Sequence, residues 1–326
     1  EVQKTFKAYL KSFQIARINL HDNCFFDLVP SDFLLEFCEV RNKITQHVFE
    51  NYSRPENYEH LDRAYKLIHK IRYQKMNINV DGCRSLMTTT ADRKDIQSIV
   101  KNKSHYVDYN LFGTVTGRLT TLKDSNPILT MKSKLRSLVK PTNDWFLSLD
   151  YNGAEIRTFL ALSGHEQPEE DIHLWNMTHL YGGSPIDREE AKVRFFSSFY
   201  SHDDDSLDDS VYSRKFVLDK HYDGNAVNTP FGRTIKVDSR KAFNYIIQST
   251  TADLTIDRAV ELDRFLENTQ SKVAFIVHDE IVLDIHEDDR YLIPELKEVF
   301  QNNKLGSFRA NVKAGKNYGE LKELRL

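Results

Sequence analysis

The fold of this chain is decided by the stretch Val273-Ala274-Phe275-Ile276-Val277-His278-Asp279-Glu280-Ile281-Val282-Leu283. Two apolar, largely β-branched runs flank three polar residues, and neither Gly nor Pro interrupts them. This pattern predicts a tight hairpin of two buried strands, 272–277 and 280–285, with His278 and Asp279 at its tip. The hairpin therefore presents a carboxylate where a buried strand reaches the surface.

A second acidic segment, Phe146-Leu147-Ser148-Leu149-Asp150-Tyr151, ends another apolar run with an aspartate. Two carboxylates from separate strands can hold a pair of divalent cations, an arrangement suited to in-line displacement at phosphorus. Mg²⁺ uses few protein carboxylates and fills its remaining positions with water and phosphate oxygens. The two segments together therefore indicate a metal site formed by Asp150 and Asp279, although a chance polar turn would give the same hairpin pattern.

Size and composition fit a protein without a membrane span. The 326 residues suffice for one large domain or two to three subdomains, and 40% hydrophobic residues can form a sizeable core. The sequence contains no run of about 18 apolar residues, so no membrane association is expected. The three cysteines match no zinc template and are expected to be reduced thiols in an intracellular, cytoplasm-like compartment.

Charge is unevenly distributed along the chain. The net charge of −3 does not itself indicate a nucleic-acid partner. The stretch from Lys94 to Lys140, however, contains nine Lys and Arg residues and only three acidic residues. The stretch from Arg63 to Lys75 contains five more cations. A basic face on a mildly acidic protein is typical of a phosphate-backbone binder, but an ordinary solvated surface gives the same pattern.

Hydrophobic periodicity predicts an α+β fold with an antiparallel sheet. Residues 1–80 are mostly helical in pattern, whereas residues 81–105 are short, polar segments without a clear core. From residue 141 onward, strands and helices alternate. Besides the hairpin, the expected elements are strands at 145–150 and 308–313 and helices at about 154–163, 187–200, 238–267 and 291–302.

Two of these helices carry graded polar faces. Arg188, Lys192, Phe196 and Tyr200 are four residues apart, so they form one stripe in which cations can meet a triphosphate and aromatic rings a sugar and base. An ordinary amphipathic helix with a wet basic side gives the same spacing.

The long helix also has residues four apart on one face, namely Arg240, Asn244 and Gln248. Amide and guanidinium groups there can donate to minor-groove acceptors, which differ little among base pairs. Polar residues on the solvent side of a helix remain an equal alternative.

Taken in order, these segments resemble the polymerase region of the family A DNA polymerases, the bacterial polymerase I type, over residues 104–326. Motif A and motif C of that family coincide with the two acidic segments. The matching stretches are Thr116-Gly117-Arg118-Leu119-Thr120-Thr121, Leu147 to Arg157, Asp171-Ile172-His173, the Arg188 helix, Thr229 to Arg233, Asn244 to Asp253, and His278-Asp279-Glu280.

The resemblance implies a role for each matching residue. The metal-binding catalytic carboxylates would be Asp150 and Asp279, with the Tyr151 carbonyl as a further ligand. The incoming nucleotide would be bound by Glu155, His173, Arg188, Lys192, Phe196 and Tyr200. Within this set Glu155 would exclude a ribose 2′-hydroxyl, and Lys192 or His173 would protonate the leaving group. The DNA contacts would be Arg118, Arg136, Arg240, Asn244, Gln248 and His278.

The resemblance also implies a domain plan: a palm with an antiparallel sheet, reduced helical fingers, a reduced or absent thumb and a helical N-terminal segment. The expected boundaries are 1–105 for the N-terminal segment with a vestigial thumb, 106–170 and 236–326 for the two parts of the palm, and 171–235 for the fingers. About two dozen residues lie between Asp81 and Tyr106, so a full helical thumb is not expected there, and the short, mostly helical stretch before Asp81 is not expected to contain a proofreading exonuclease.

Two departures from the family pattern concern the site itself. Motif A has Asn152-Gly153-Ala154 where the family has Ser-Gln-Ile, and motif B ends in Tyr200-Ser201 rather than Tyr-Gly. The second alters the bend expected after the helix.

The resulting hypothesis is a template-directed DNA polymerase that adds dNTPs to a DNA primer-template by a two-metal mechanism. The expected ions are two Mg²⁺, with Mn²⁺ as an alternative, and a separate processivity or thumb-supplying partner is also expected. Two other functions stay open. One is a single-subunit RNA polymerase, against which Glu155 and Glu280 argue, and the other is a catalytically inactive, DNA-binding replisome subunit.

Overall fold

The structure, a computed structural model, describes residues 1–100, 105–182, 186–200 and 211–325. These residues form two compact units, Glu1–Tyr58 and Glu59–Leu326. In this part of the chain, no helix combines the length and apolar character that a membrane span requires.

The first unit is a small helical element held by aromatic rings. Its helices are α1 (Val2–Ile15) and α2 (Ser31–Asn51). Phe6 stacks on Phe37 with ring centroids 5.3 Å apart, and Tyr9 packs on Phe33 at 4.9 Å. Aromatic burial of this kind compensates for the small core that so few residues can form.

The second unit contains the remaining elements. Its helices are α3 (Tyr58–Arg72), α4 (Cys83–Leu86), α5 (Thr90–Val100), α6 (Ala154–Leu162), α7 (Ile172–His179), α8 (Arg188–Tyr200), α9 (Arg214–His221), α10 (Ser239–Phe265) and α11 (Ile293–Gln301). Its strands are β1 (Asn77–Ile78), β2 (Tyr109–Asn110), β3 (Thr120–Thr121), β4 (Val139–Lys140), β5 (Trp145–Tyr151), β6 (Ala226–Asn228), β7 (Thr234–Lys236), β8 (Lys272–Val277), β9 (Glu280–Ile285), β10 (Asn302–Asn303), β11 (Gly306–Ser307), β12 (Ala310–Gly315) and β13 (Lys322–Glu323).

A five-stranded antiparallel sheet lies at the centre of the second unit, in the order β13-β12-β5-β9-β8. The α+β prediction is therefore confirmed. So is the hairpin, because β8 and β9 pair with Val277 opposite Glu280 and leave only His278 and Asp279 in the turn. The last predicted strand begins two residues later than expected, at Ala310.

The two faces of the sheet differ in chemistry because successive side chains alternate sides. On one face of β5, Leu147, Leu149 and Tyr151 are buried, and Tyr151 stacks on Phe300 of α11 with centroids 4.1 Å apart. The other face carries the buried Phe146 near the start of the strand and Ser148 and Asp150 toward its end. The apolar face thus fixes the sheet on its helices, and the polar face is left for the site.

The edge strand β8 is protected by a tyrosine from the β2–β3 hairpin. The buried Tyr109 hydroxyl donates to the Ile276 carbonyl at 2.6 Å and accepts from the Ile276 N–H at 2.8 Å. Burial raises the pKa of Tyr109, so the hydroxyl keeps its proton. One side chain therefore satisfies both outward backbone groups of an edge residue in the β8–β9 hairpin.

Replacing Tyr109 by Phe is expected to lower the free energy of unfolding, because the N–H and the C=O of Ile276 both lose a buried partner. Each unsatisfied group costs roughly 1–3 kcal/mol. Urea denaturation measures the loss. Tyr291→Phe, at a tyrosine that is 74% exposed, is the control and should change little. Equal stability of the two variants would show that the Tyr109 hydroxyl does not hold the edge strand.

The expectation that residues 81–105 lack a core is wrong for the residues that are described. Helices α4 and α5 form there, and Ile96 and Ile99 are fully buried. Polar residues dominate α5 because only one of its faces packs inward. That face has too few apolar residues to stand out in the sequence.

Candidate active site

The predicted carboxylates meet at one end of the sheet. Asp150 lies directly opposite Glu280 on β9 and directly opposite Asn311 on β12, so all three side chains point to the polar face. Asp279 precedes Glu280 in the hairpin turn. The turn is tight enough that His278 adopts a φ of 57°, a left-handed conformation that non-glycine residues rarely adopt.

Burial and like charges raise the pKa values of both aspartates. Burial is the main cause for Asp150, and the charges of Asp279 and Glu280 add to it, raising the pKa to about 7. Burial also raises the pKa of Asp279, with Glu155 and Glu280 adding to the effect. Such a cluster binds protons more readily than isolated carboxylates do, and a bound cation would relieve the same repulsion.

Glu280 is held in place from both sides. Its Oε1 accepts from the Ser148 hydroxyl at 2.5 Å, and its Oε2 accepts from the Tyr318 hydroxyl at 2.8 Å. The Arg136 guanidinium lies over the Tyr318 ring, 4.9 Å from its centroid. Arg136, predicted as a DNA contact, therefore supports the ring that orients Glu280.

A cavity of about 290 Å³ lies beside the carboxylates. It brings together several predicted residues that are far apart in the sequence, and α10 closes one side. The predicted residues that line it are Arg118, Glu155, Phe196, His278 and Asp279. Sequence analysis did not single out the α10 residues there, Thr251 and Thr255, although they continue the Asn244 and Gln248 face.

Arg118 and Glu155 form an ion pair with each other at this cavity. Arg118 is half exposed and Glu155 is largely buried. The loop that carries Arg118 passes close to the Arg233 side chain at Gly117, which has a φ of +79°. A Cβ on Gly117 would lie 2.4 Å from Nη2 of Arg233. Only glycine fits this close approach.

Helices α7 and α8 bring the predicted triphosphate residues together. His173 is buried, its ring centroid lies 6.4 Å from that of Phe196, and the charges of Arg188 and Lys192 act on it. The His173 Nδ1 atom is buried without a hydrogen-bond partner. Burial lowers the pKa of His173, so the ring is neutral at pH 7.

Other predicted residues lie outside the lining of this cavity. Arg240 is exposed near Asp238, at 3.6 Å, and Asn244 and Gln248 lie on α10 before the cavity-lining turns. The Tyr151 ring faces α11, and its carbonyl stays a predicted ligand. The side chain of Tyr200 and the whole of Ser201 lie outside the described residues.

Among the described residues, several cations of the two stretches rich in Lys and Arg are paired with acidic side chains. In α3, Lys70 pairs with Asp263 at 2.5 Å and Arg72 with Asp108 at 3.2 Å. In the second stretch, Lys132 pairs with Asp95 at 2.7 Å. Acids distant in sequence thus neutralise much of the local charge excess.

The sequence motif from Thr229 to Arg233 supports the site through a buried ion pair. Arg233 donates to Asp253 twice, Nε to Oδ2 at 2.9 Å and Nη2 to Oδ1 at 2.7 Å. Asp253 is fully buried in α10, and Nε2 of His60 lies 3.5 Å from Oδ1. This pair fixes the Arg233 guanidinium against Gly117, next to Arg118.

The donor set at Asp150 and Asp279 fits Mg²⁺. Among the described residues, no group of three or more His, Cys, Asp or Glu side chains is arranged to hold a metal ion by itself. Mg²⁺ needs no such cage, because it is usually bound by one or two carboxylates together with water and substrate phosphates. Two adjacent aspartates with raised pKa values supply oxygen donors of that kind.

The antiparallel sheet carries paired carboxylates, and a helix bearing cations and aromatic rings contributes to the same site. A scan against protein-family models finds no match. The chain is 26% identical over 274 residues to the thermostable DNA polymerase I of Thermus aquaticus and 28% identical over 246 residues to that of Thermus thermophilus. These matches cover 63% and 59% of this chain.

The chain spans about a third of the length of these relatives, 33% and 30% respectively. Among solved structures, the polymerase domain of Pol1 from M. smegmatis, in complex with DNA primer-template and dNTP, matches with a TM-score of 0.58 and 16% identity. That match covers 73% of this chain and 56% of the other. Sequence similarity and fold together support a family A polymerase region in this chain.

Proposed function

We propose that this chain is a DNA-directed DNA polymerase that adds dNTPs to the 3′-hydroxyl of a primer. One observation carries the proposal: Arg118, Glu155, Phe196 and Asp279 converge on a single cavity beside Asp150. The relatives named DNA polymerase I support it, as does a matching structure that holds DNA and dNTP.

In this proposal Asp150, Asp279 and the Tyr151 carbonyl hold Mg²⁺. When bound, the ions lower the pKa of the primer hydroxyl and neutralise charge on the phosphates. Glu280 would orient the hairpin, because its two oxygens accept hydrogen bonds from Ser148 and Tyr318.

The nucleotide is bound between the helices and the sheet. Arg188 and Lys192 bind the triphosphate, Phe196 and Tyr200 contact the nascent pair, and Glu155 excludes a 2′-hydroxyl. Of the two candidates for protonating the leaving group, Lys192 is favoured. Burial lowers the pKa of His173, which disfavours the charged imidazolium that a general acid there would need.

DNA is bound along Arg118, Asn244 and Gln248 at the minor groove, with His278 beside the primer end and Arg136 and Arg240 as further contacts. The domain plan of the sequence analysis, including a vestigial thumb within 1–105, stays a prediction. So do the missing exonuclease and the processivity partner.

Primer extension tests this function. With Mg²⁺, a short DNA primer-template and all four dNTPs, we expect templated extension that ceases when the metal is chelated. Ribonucleotides should be used far less well than dNTPs, and the reverse preference would favour an RNA polymerase. DNA binding without extension would favour the inactive replisome subunit.

A further inference from the structure

We propose that Asn152 is a positioning residue that connects the metal-binding strand to Arg188 through Asp171. The inference rests on the proposed function, because it assigns this link to the placement of the incoming triphosphate. Neither Asn152 nor Asp171 was given a role by the sequence.

Asn152 joins the end of β5 to the start of α7. It follows Asp150 by two residues and is only 5% exposed. Its Oδ1 accepts from the Ile172 N–H at 2.8 Å, and its Nδ2 donates to Oδ2 of Asp171 at 2.8 Å. Both polar atoms of the amide are therefore used on the first turn of one helix.

Asp171 connects Asn152 to α8. Its Oδ1 caps α7 by accepting from the His173 N–H at 2.9 Å and the Leu174 N–H at 3.2 Å. The same carboxylate accepts from Arg188 twice, from Nε at 3.2 Å and from Nη2 at 2.8 Å. Although burial opposes it, the hydrogen bonds from Arg188 and Asn152 hold the pKa of Asp171 well below its usual range.

Arg157 braces the segment that leads to Asp171. The side chain is fully buried, and its guanidinium donates to Oδ1 of Asn152 at 3.2 Å and to the carbonyls of Asn152, Pro168 and Glu170 at 2.8–2.9 Å. Because the carboxylate, the amide and the loop backbone are all bonded to one another, the guanidinium of Arg188 has one preferred orientation.

This orientation leaves one part of Arg188 for a ligand. Nε and Nη2 are used on Asp171, whereas Nη1 donates at 2.7 Å to Glu189, which is 69% exposed. Exposed pairs are weak, so a phosphate can replace Glu189 there. Asn152 thus sets the distance between the phosphate-binding Nη1 and the metal-binding Asp150, and small misplacements of reacting groups are costly.

The test is nucleotide binding by Asn152→Asp, which keeps the Oδ1 acceptor but turns the donating amide into an oxygen facing Asp171. Losing a hydrogen bond to a charged group should raise the Kd for dATP with Mg²⁺ about tenfold. In single-nucleotide insertion we expect KM to rise likewise, with kcat changed less. Asn152→Ser, too short to reach Asp171, should act in the same direction and serves if the first variant fails to fold.

A double-mutant cycle with Arg188→Ala decides whether Asn152 acts through the arginine. In the Arg188→Ala background, Asn152→Asp should change the Kd less than about twofold, because the link no longer ends in a phosphate ligand. A tenfold effect in both backgrounds, or no effect in either, would overturn the proposal, as would a wild type that binds no dATP.

The matched control is Asp289→Asn, at a buried carboxylate that likewise accepts backbone N–H groups, from Gln270 and Ser271. It should leave the Kd unchanged, which separates the link from general loss of stability. Failure of the proposed function would give a different result. The wild type would bind dATP and the coupling between Asn152 and Arg188 would be intact, but the protein would not extend primers.

Discussion

Replacing Asp150 or Asp279 by Asn is expected to reduce primer extension at least about a thousandfold, since several kcal/mol of transition-state stabilisation depend on the metal ions they hold. Stability should change in the opposite direction. Burial and neighbouring carboxylates raise the pKa of both groups, so their charged forms cost folding free energy at neutral pH. A neutral amide of the same shape removes that cost, and the melting temperature in chelator should hold or rise.

Single-turnover extension, DNA binding by fluorescence anisotropy and thermal melting measure these effects together. Asp284→Asn is the matched control. Asp284 lies on the same face of β9 as Glu280, and burial also raises its pKa. Its carboxylate, however, accepts from the N–H groups of Thr142 and Asn143 at the far end of the strand. It should retain extension. Normal extension by either Asp150→Asn or Asp279→Asn would rule out that aspartate as a catalytic metal ligand.

Replacing Arg233 by Ala is expected to be the most destabilising single change at the site, by roughly 3–5 kcal/mol, because it leaves Asp253 buried without its charge partner. The pair is bidentate and Asp253 is fully buried. Urea denaturation measures the loss. Arg194→Ala, which breaks an exposed pair with Glu190, is the control and should cost at most about 1 kcal/mol.

The pH dependence gives an independent check. The Arg233 guanidinium and His60 hold the pKa of Asp253 below its ordinary value although burial opposes them. This pair stabilises the wild type above the unfolded pKa of about 3.9 and the gain is lost as the pH falls through the lower folded pKa. In Arg233→Ala the carboxyl becomes neutral on acidification, so the difference between the proteins should shrink. A difference that is constant from pH 7 to acid would contradict the ion-pair explanation.

Much of the fold is readable from the sequence because its signals are local. Short apolar runs predicted β5, β8 and β9, and residues four apart marked one face each of α8 and α10, since each pattern depends on neighbours within one element. The hairpin that carries Asp279 is the clearest case. In contrast, the sparse apolar face of α5 escaped notice, because burial of Ile96 and Ile99 depends on what packs against them.

The pairing of charges could not be predicted in the same way. Arg63 and Lys70 look like a free basic stripe, yet Glu261 and Asp263 lie against them. Arg118 forms an ion pair with Glu155 at the cavity, although neither sequence motif indicates that the two residues are partners. Coulomb interactions act between neighbours in space, whereas a charge count along the chain records neighbours in sequence.

The sequence by itself determined that this chain has one aspartate near the end of a strand and another in a hairpin turn, a helix graded from cations to aromatic rings and an α+β order of elements. Only the tertiary structure decided how these parts are held. It placed Glu280 between Ser148 and Tyr318, and it joined Asn152 to Arg188 through Asp171. The reason is physical: local propensity depends on a few adjacent residues, whereas a hydrogen-bond network requires segments far apart in the chain to meet at distances near 3 Å.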